Sequence, residues 1–374
     1  MLTGQLTQRS ADRLEGGACL PAEVLVTHTR FESIGAYLPS TVVSTRDLVA
    51  QMSYRPPFDL REITGIAERR VHDKRPDSFE DSFVLAQRAA EDCLSRSRYD
   101  AGDLDVVIST SITRFKDGDD FYFEPSFAHL LARALGARGA SHFDVSNACA
   151  GMMTGVAVLD RMIRAGVVRN GMVVSGERIT AIAETAVKEI SELYDPQFGS
   201  LTVGDSGAAV IVDESTSAAD RIHYVELMTC SEYSHLCIGK PSDRTQGIAL
   251  YTDNHQMHKE ERSRLWTDFQ TDFLAKRGST FADEGYDYIV QHQVGSRFIR
   301  NFNGYGENAF GTPMPESLSV LDRYGNTSST SHFLVLHDHL RSGRAKKGAK
   351  YLFVPAASGV VTGCVSATIT SLEV

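Results

Sequence analysis

Phe143-Asp-Val-Ser-Asn-Ala-Cys149-Ala-Gly-Met152 decides how the rest of the chain is read. Phe143-Asp-Val-Ser has the look of a strand, small residues follow, and Cys149 opens a helical stretch, Ala150–Arg164. That stretch places Met152, Met153, Val156, Val158, Leu159, Met162 and Ile163 nearly all round its axis. A helix without a polar face sits centrally in its fold. Upstream, Asp105-Val-Val-Ile-Ser-Thr reads as a buried strand of a parallel sheet. Phe127–Leu135 and the longer Asp77–Arg98 read as helices, and Gly171–Ser175 and Ala208–Val212 as strands.

The rhythm recurs downstream. Gln256–Lys276 is helical in pattern, Tyr288–Gln291 is a strand, a helix begins at Ser296–Phe302, Ser328–Leu340 is a helix, and Tyr351–Val354 and Val365–Thr370 are strands. Alternating strands and helices mean a layered α/β body. The repetition near Asp213 divides it into a loose N-terminal extension at 1–22, a first half at 23–213 and a similar second half at 214–374. No low-complexity linker separates the halves, so they are expected to pack as one body.

Composition bounds the function. The chain has 374 residues, 42% hydrophobic and 23% charged, which excludes a disordered chain or a small disulfide scaffold. Its net charge of −10 makes free nucleic acid a poor partner. No apolar run approaches the roughly 18 residues of a membrane span. Met1–Gly17 carries Arg9, Asp12, Arg13 and Glu15 and does not read as a secretory signal, so a cytoplasmic protein is expected. Six scattered cysteines without CxxC spacing read as reduced thiols, and the histidines show no metal-ligand spacing.

Cys149 is either a buried structural thiol or a nucleophile. A helix N-terminus would favour its thiolate, and unpaired backbone N–H groups there could hold a developing oxyanion. A nucleophile needs partners, and two residues lie at strand-to-helix turns of the second half. His292, in Tyr288-Ile-Val-Gln-His-Gln-Val-Gly, is a proton carrier or a satisfied core histidine. Asn326, in Arg323-Tyr-Gly-Asn-Thr-Ser-Ser, is an uncharged donor or a helix cap.

Taken together and in this order, these motifs resemble the β-ketoacyl-acyl-carrier-protein synthase III (KAS III) family of the thiolase superfamily, from about Phe31 to Val374. The resemblance includes Thr64-Gly-Ile-Ala-Glu-Arg-Arg, Ala-Cys149-Ala-Gly, Gly204-Asp205-Ser-Gly-Ala-Ala, His292-Gln293 and Gly325-Asn326-Thr-Ser. It implies a five-layered α-β-α-β-α fold of two similar halves and a homodimer. It implies that Cys149 becomes an acyl-enzyme, with His292 and Asn326 lining the second half-reaction. It puts the oxyanion donors at the backbone N–H groups of Cys149 and of Ser358, in Ala357-Ser358-Gly359-Val-Val-Thr-Gly363, where the family usually has glycine. Cys364, just beyond, reads as structural.

Several residues depart from the family pattern. Glu124, in Phe123-Glu-Pro-Ser, falls where members send a residue across the dimer interface into the partner's acyl pocket. A glutamate there resembles the head-to-head condensing branch and would be a base of raised pKa; the alternative is a surface residue capping the Phe127 helix. The stretch Thr45–Glu68 lacks the family's adenine-stacking tryptophan, and the one tryptophan is Trp266, which favours a carrier-bound phosphopantetheine over coenzyme A. Arg297 and Arg300 suit an acidic carrier protein, or form a solvated helix face. Extra sequence around Lys116–Phe123 and Thr185–Ser200 is expected to alter substrate scope.

The expected function is an acyltransferase of specialised metabolism, such as antibiotic biosynthesis. It would pass an acyl group from a carrier protein or CoA, through Cys149, to a hydroxyl or amine of a small molecule. The alternatives are a C–C bond-forming 3-oxoacyl synthase and a non-catalytic partner subunit. No metal and no cofactor beyond the donor's phosphopantetheine are expected.

Overall fold

The computed structural model describes residues 28–374 except 258; the expected extension at 1–22 lies outside the described residues. Two sheets form the frame. The first runs His28–Tyr37, Ser206–Ser215, Asn170–Glu177, Val106–Ser109, Ser141–Asp144 in spatial order. The second runs Arg221–Thr229, Val361–Ile369, Ala349–Val354, Tyr288–Gln291, Glu316–Ser317, with Ala356–Ala357 paired at its side. In each sheet the first two pairings are antiparallel and the next two parallel, and the strands follow the chain order 1-5-4-2-3. The second half therefore repeats the first strand for strand.

Hydrophobicity explains the layering. The strands Val106–Ser109 and Asn170–Glu177 are buried at every residue, as strands covered on both faces must be. Between the sheets lie the helices Gly151–Arg164 and Ser331–Arg341. Met152, Met153, Val156, Leu159, Phe333, Leu334, Val335 and Leu336 share one apolar cluster with inward residues of both sheets, among them Val106, Val210, Tyr351 and Phe353. The first sheet's other face is covered by Ser82–Leu94 and Phe127–Leu135, whose Ala86, Ala90, Phe127 and Leu131 pack on Val107, Met172 and Ile211. The second sheet's other face is covered by Glu260–Lys276 and Ser296–Phe310, with Trp266, Leu274 and Phe302 on Ile289, Leu352 and Cys364. The result is the expected five-layered thiolase fold.

Some boundaries differ from expectation, each for a local reason. The helix expected over Asp77–Arg98 begins at Ser82, because Asp81 accepts from Val84 N and caps it there; Pro76–Ser78 is a separate 3₁₀ turn. The stretch Gln256–Lys276 splits into Asn254–Met257 and Glu260–Lys276. The Ser328 helix begins at Ser331, after a 3₁₀ turn at Ser328–Thr330. Both extra segments are tied down. Buried Arg178 pairs with Asp119 at 2.5 Å and lies over Phe115, holding the hairpin of Phe115–Lys116 and Asp120–Phe121. Glu189 accepts from Gln197, Ser242 and Thr245, and Asp195 pairs with Arg244 at 2.9 Å.

Candidate active site

The duplicated topology makes two equivalent turns, and the site forms where they meet. After Ser141–Asp144 the chain makes a 3₁₀ turn at Ala148–Ala150 and enters the first central helix at Gly151. After Glu316–Ser317, the segment through Asn326 ends in the 3₁₀ turn Ser328–Thr330 and enters the second central helix at Ser331. Each turn opens on a residue in the left-handed region, Ala148 with φ 46° and Ser328 with φ 59°. Strain of this kind persists only where surrounding structure enforces it. The two turns touch, with Cys149 Sγ 3.6 Å from Ser328 Oγ. The first helix residue packs tightly on Thr110, since a Cβ on Gly151 would sit 3.0 Å from Thr110 O.

Beneath the turns lies Glu177, fully buried. It accepts from Ile112 N at 2.9 Å, Thr113 N at 3.3 Å, and the hydroxyls of Thr113, Ser175 and Ser329 at 3.1, 2.9 and 2.8 Å. Burial raises its pKa against those donors. Its bond to Ser329 fastens the asparagine turn to the first sheet. Asn326 is held by its backbone, N to Thr202 O at 2.9 Å and O from Gly204 N at 3.0 Å, while its Oδ1 accepts from Ser328 N at 2.9 Å. It thus shapes the turn that meets Cys149, with its amide nitrogen left over for other partners.

His292 follows the strand Tyr288–Gln291 and is 2% exposed. Its backbone N–H donates to Val354 O at 3.1 Å, which binds it to the strand leading into Ala356–Ala357. Ala357 packs with Ala148, Cys149 and Ala150, so the His292 segment joins the cysteine turn through that short strand. Burial, reinforced by the neighbouring His332, lowers the His292 pKa to about 3. The imidazole is neutral at working pH.

The thiol differs from expectation. Cys149 is half-buried and lies in the 3₁₀ turn ahead of the helix proper. Burial pushes it up to about 12, and the Ser328 hydroxyl and its own N–H only partly offset this. Desolvation is the largest influence on the thiol. The resting group is a thiol.

Ser358 lies in the turn after Ala357, and the left-handed residues there are Gly359 (φ 87°) and Val360 (φ 41°). The serine therefore replaces glycine at a position that does not need it. Its hydroxyl donates to Cys237 Sγ at 3.0 Å. Cys237, also half-buried, and Ser328 are site neighbours that only tertiary packing could reveal. Cys364 is buried in the strand Val361–Ile369.

The remaining residues are not gathered at this centre. Glu124 is exposed on its own chain, not buried beside a thioester, beside Phe121 (42% exposed) and Phe123 (76%). It does not cap the Phe127 helix either: Ser126 Oγ accepts from His129 N, and Asp144 accepts from Phe127 N and Ala128 N. Arg297 and Arg300 are exposed on the helix Ser296–Phe310, with Arg300 3.4 Å from Ser296 Oγ. Trp266 is buried under the second sheet, among Phe281, Phe302 and Phe310. Among the described residues no group of three or more His, Cys, Asp or Glu is placed to hold a metal ion, and no helix is long and apolar enough to cross a membrane.

Two duplicated strand–turn–helix units, meeting at a cysteine and an asparagine turn between paired sheets, define a thiolase-fold protein. The model of the 3-oxoacyl-[acyl-carrier-protein] synthase III family matches residues 143–230, and that of its C-terminal part residues 276–369. By these matches the chain is KAS III-like, and it has the thiolase fold. It is 29% identical to β-ketoacyl-[acyl-carrier-protein] synthase III of Deinococcus deserti, over 88% of this chain and 87% of that protein. It is 27% identical to synthase III 1 of Bacillus anthracis, over 89% and 96%. In fold it resembles the Aquifex aeolicus synthase III (TM-score 0.72, 22% identity, 91% and 99% covered). It also resembles Xanthomonas campestris OleA crystallised with lauric acid and lauroyl-CoA (TM-score 0.77, 22% identity, 92% and 100% covered).

Proposed function

We propose that the chain is a condensing enzyme. Cys149 accepts an acyl group from a thioester of a carrier protein or CoA and passes it to a carbon nucleophile, forming a 3-oxoacyl product. The observation that carries this reading is the meeting of the Cys149 and Asn326–Ser328 turns, with a neutral His292 tied to the cysteine turn through Val354 and the Ala356–Ala357 strand. In the first step the thiol attacks the thioester carbonyl, the old C–S bond breaks, and the thiol proton ends on the departing sulfur, so no net charge forms. The backbone N–H groups of Cys149 and Ser358 are the proposed oxyanion donors. In the second step a malonyl thioester loses CO2, the electrons of the broken C–C bond forming an enolate whose oxygen accepts hydrogen bonds from His292 and the Asn326 amide; the enolate carbon attacks the acyl group on Cys149, the acyl C–S bond breaks, and the sulfur takes up a proton from solvent.

Transfer to a hydroxyl or amine, the function expected from sequence, calls for a base. A histidine with a pKa near 3 is a poor base and a serviceable donor. This favours a carbon nucleophile made by decarboxylation, which needs no base, as do the relatives named as 3-oxoacyl synthases. The exposed Glu124 with Phe121 and Phe123 supports a homodimer in which that loop enters the partner's site; sedimentation velocity tests it, a monomer at micromolar concentration opposing it. Arg297 and Arg300 are the proposed carrier-docking residues, and no cofactor is required beyond the donor's own phosphopantetheine. Incubation with acyl-CoA or acyl-carrier protein should add the acyl mass to the Cys149 peptide. A malonyl thioester should then discharge it as a 3-oxoacyl product with release of CO2. No adduct would defeat the reading; discharge only by hydroxyl or amine acceptors would return it to simple acyl transfer.

A further inference from the structure

His292 lacks what usually orients a working imidazole. Its Nδ1 is buried without a hydrogen-bond partner, so no carbonyl or carboxylate sets its ring plane. What it has is a second imidazole. His332, the second residue of the helix Ser331–Arg341 and 0% exposed, stacks on it with ring centroids 5.9 Å apart and planes 25° from parallel. His332 is itself pinned, its Nε2 lying 3.1 Å from Val354 O. A carbonyl only accepts, so Nε2 carries the proton and the unpartnered Nδ1 of His332 is a bare lone pair. The same carbonyl receives the His292 backbone N–H at 3.1 Å. One backbone oxygen thus registers both histidines, one through its main chain and the other through its ring.

The geometry points to His332 as a positioning residue for His292: keyed to the Val354 carbonyl, it holds the His292 imidazole by stacking in the plane from which the ring meets substrate. His332 need not touch substrate. Its proximity also opposes a second positive charge on His292, in line with that ring staying neutral. The inference rests on the reading of His292 as a substrate-facing group.

The test compares His332→Leu, which removes both ring and donor, with His332→Gln, whose amide still reaches the Val354 carbonyl. His332→Leu should lower kcat for 3-oxoacyl formation on the order of ten-fold or more, the cost of a misplaced proton carrier, with KM for the acyl donor within about two-fold. His332→Gln, which keeps the Val354 hydrogen bond and lacks the stacking ring, should not recover that kcat. In ¹⁵N-labelled-histidine NMR at pH 7, the His292 ring signals should show one tautomer in the wild type and a shifted or averaged population in both His332→Leu and His332→Gln. If His332→Leu does not fold, His332→Asn, whose amide is too short for Val354, takes its place. Wild-type kcat and unchanged His292 ring signals in the donor-less variant would overturn the inference. Failure of the wild type to form an acyl-enzyme would instead overturn the reading of the site, and the ring spectra would still decide the role of His332.

Discussion

At neutral pH Cys149 holds its proton, because burial in a turn lined by Ala148, Ala150 and Ala357 costs the thiolate more than the hydrogen bonds from Ser328 and its own N–H return. The consequence can be measured. Alkylation by iodoacetamide, which consumes thiolate, should accelerate about ten-fold per pH unit from pH 7 to 10 without levelling, since the group titrates near 12. Cys149→Ala should abolish the labelling of this site and the acyl adduct together. The Ser328 hydroxyl, 3.6 Å from the sulfur, lowers the thiol's pKa. Ser328→Ala should therefore slow alkylation at pH 8 several-fold, about 1 kcal/mol for one long hydrogen bond. A plateau near pH 8 would show a thiolate stabilised by something other than these contacts.

At the scale of elements, short motifs become packing constraints. The glycine opening Gly204-Asp205-Ser-Gly-Ala-Ala lies where a Cβ would come within 2.2 Å of Tyr324 O, and its N–H holds Asn326 O. Neither atom belongs to a yielding side chain, so Gly204→Ala must push the Tyr324–Asn326 segment away. We expect a loss of about 1–3 kcal/mol in stability, read from urea midpoints, and a fall in product formation larger than that loss of folded protein explains. Full activity in a destabilised variant would separate this contact from the site. The same scale shows what was legible in advance. Continuous apolar runs such as Val106–Ser109, and the all-round apolar helix after Cys149, carry their burial in their composition, and the cysteine and histidine each follow a strand that can be recognised. Ser328 as a neighbour of Cys149, Cys237 beside Ser358, and His332 stacked on His292 join residues 179, 121 and 40 positions apart in sequence. No local pattern encodes such pairs. The helix end near Cys149 was legible too, but its electrostatic effect was not, because burial depends on what packs over the turn.

Over the whole molecule, duplication leaves a central helical layer enclosed on both sides, and such a layer has no water for the polar groups it carries. The second half contributes several histidines to that interior and its flanks. Burial lowers His292 to about 3 and His332, His337 and His223 to about 4, against an ordinary 6.5. The unfolded chain therefore binds protons at these positions between pH 6.5 and 4 while the folded chain refuses them. Stability is complete above about pH 6.5 and is lost as pH falls toward 4. Glu177, Asp81 and Asp213, raised by burial, work the other way, taking up protons in the folded chain before the unfolded one. With four histidines lowered against three carboxylates raised, we expect the histidines to set the sign, so that the melting temperature drops by several degrees between pH 6.5 and 5, a cost of order a few kcal/mol. His332→Gln, which cannot titrate, should show a shallower drop over the same interval. A melting temperature that holds or rises from pH 6.5 to 5, or an identical slope in the two proteins, would mean that these imidazoles find protonated partners in the folded state and that the interior is wetter than its packing implies.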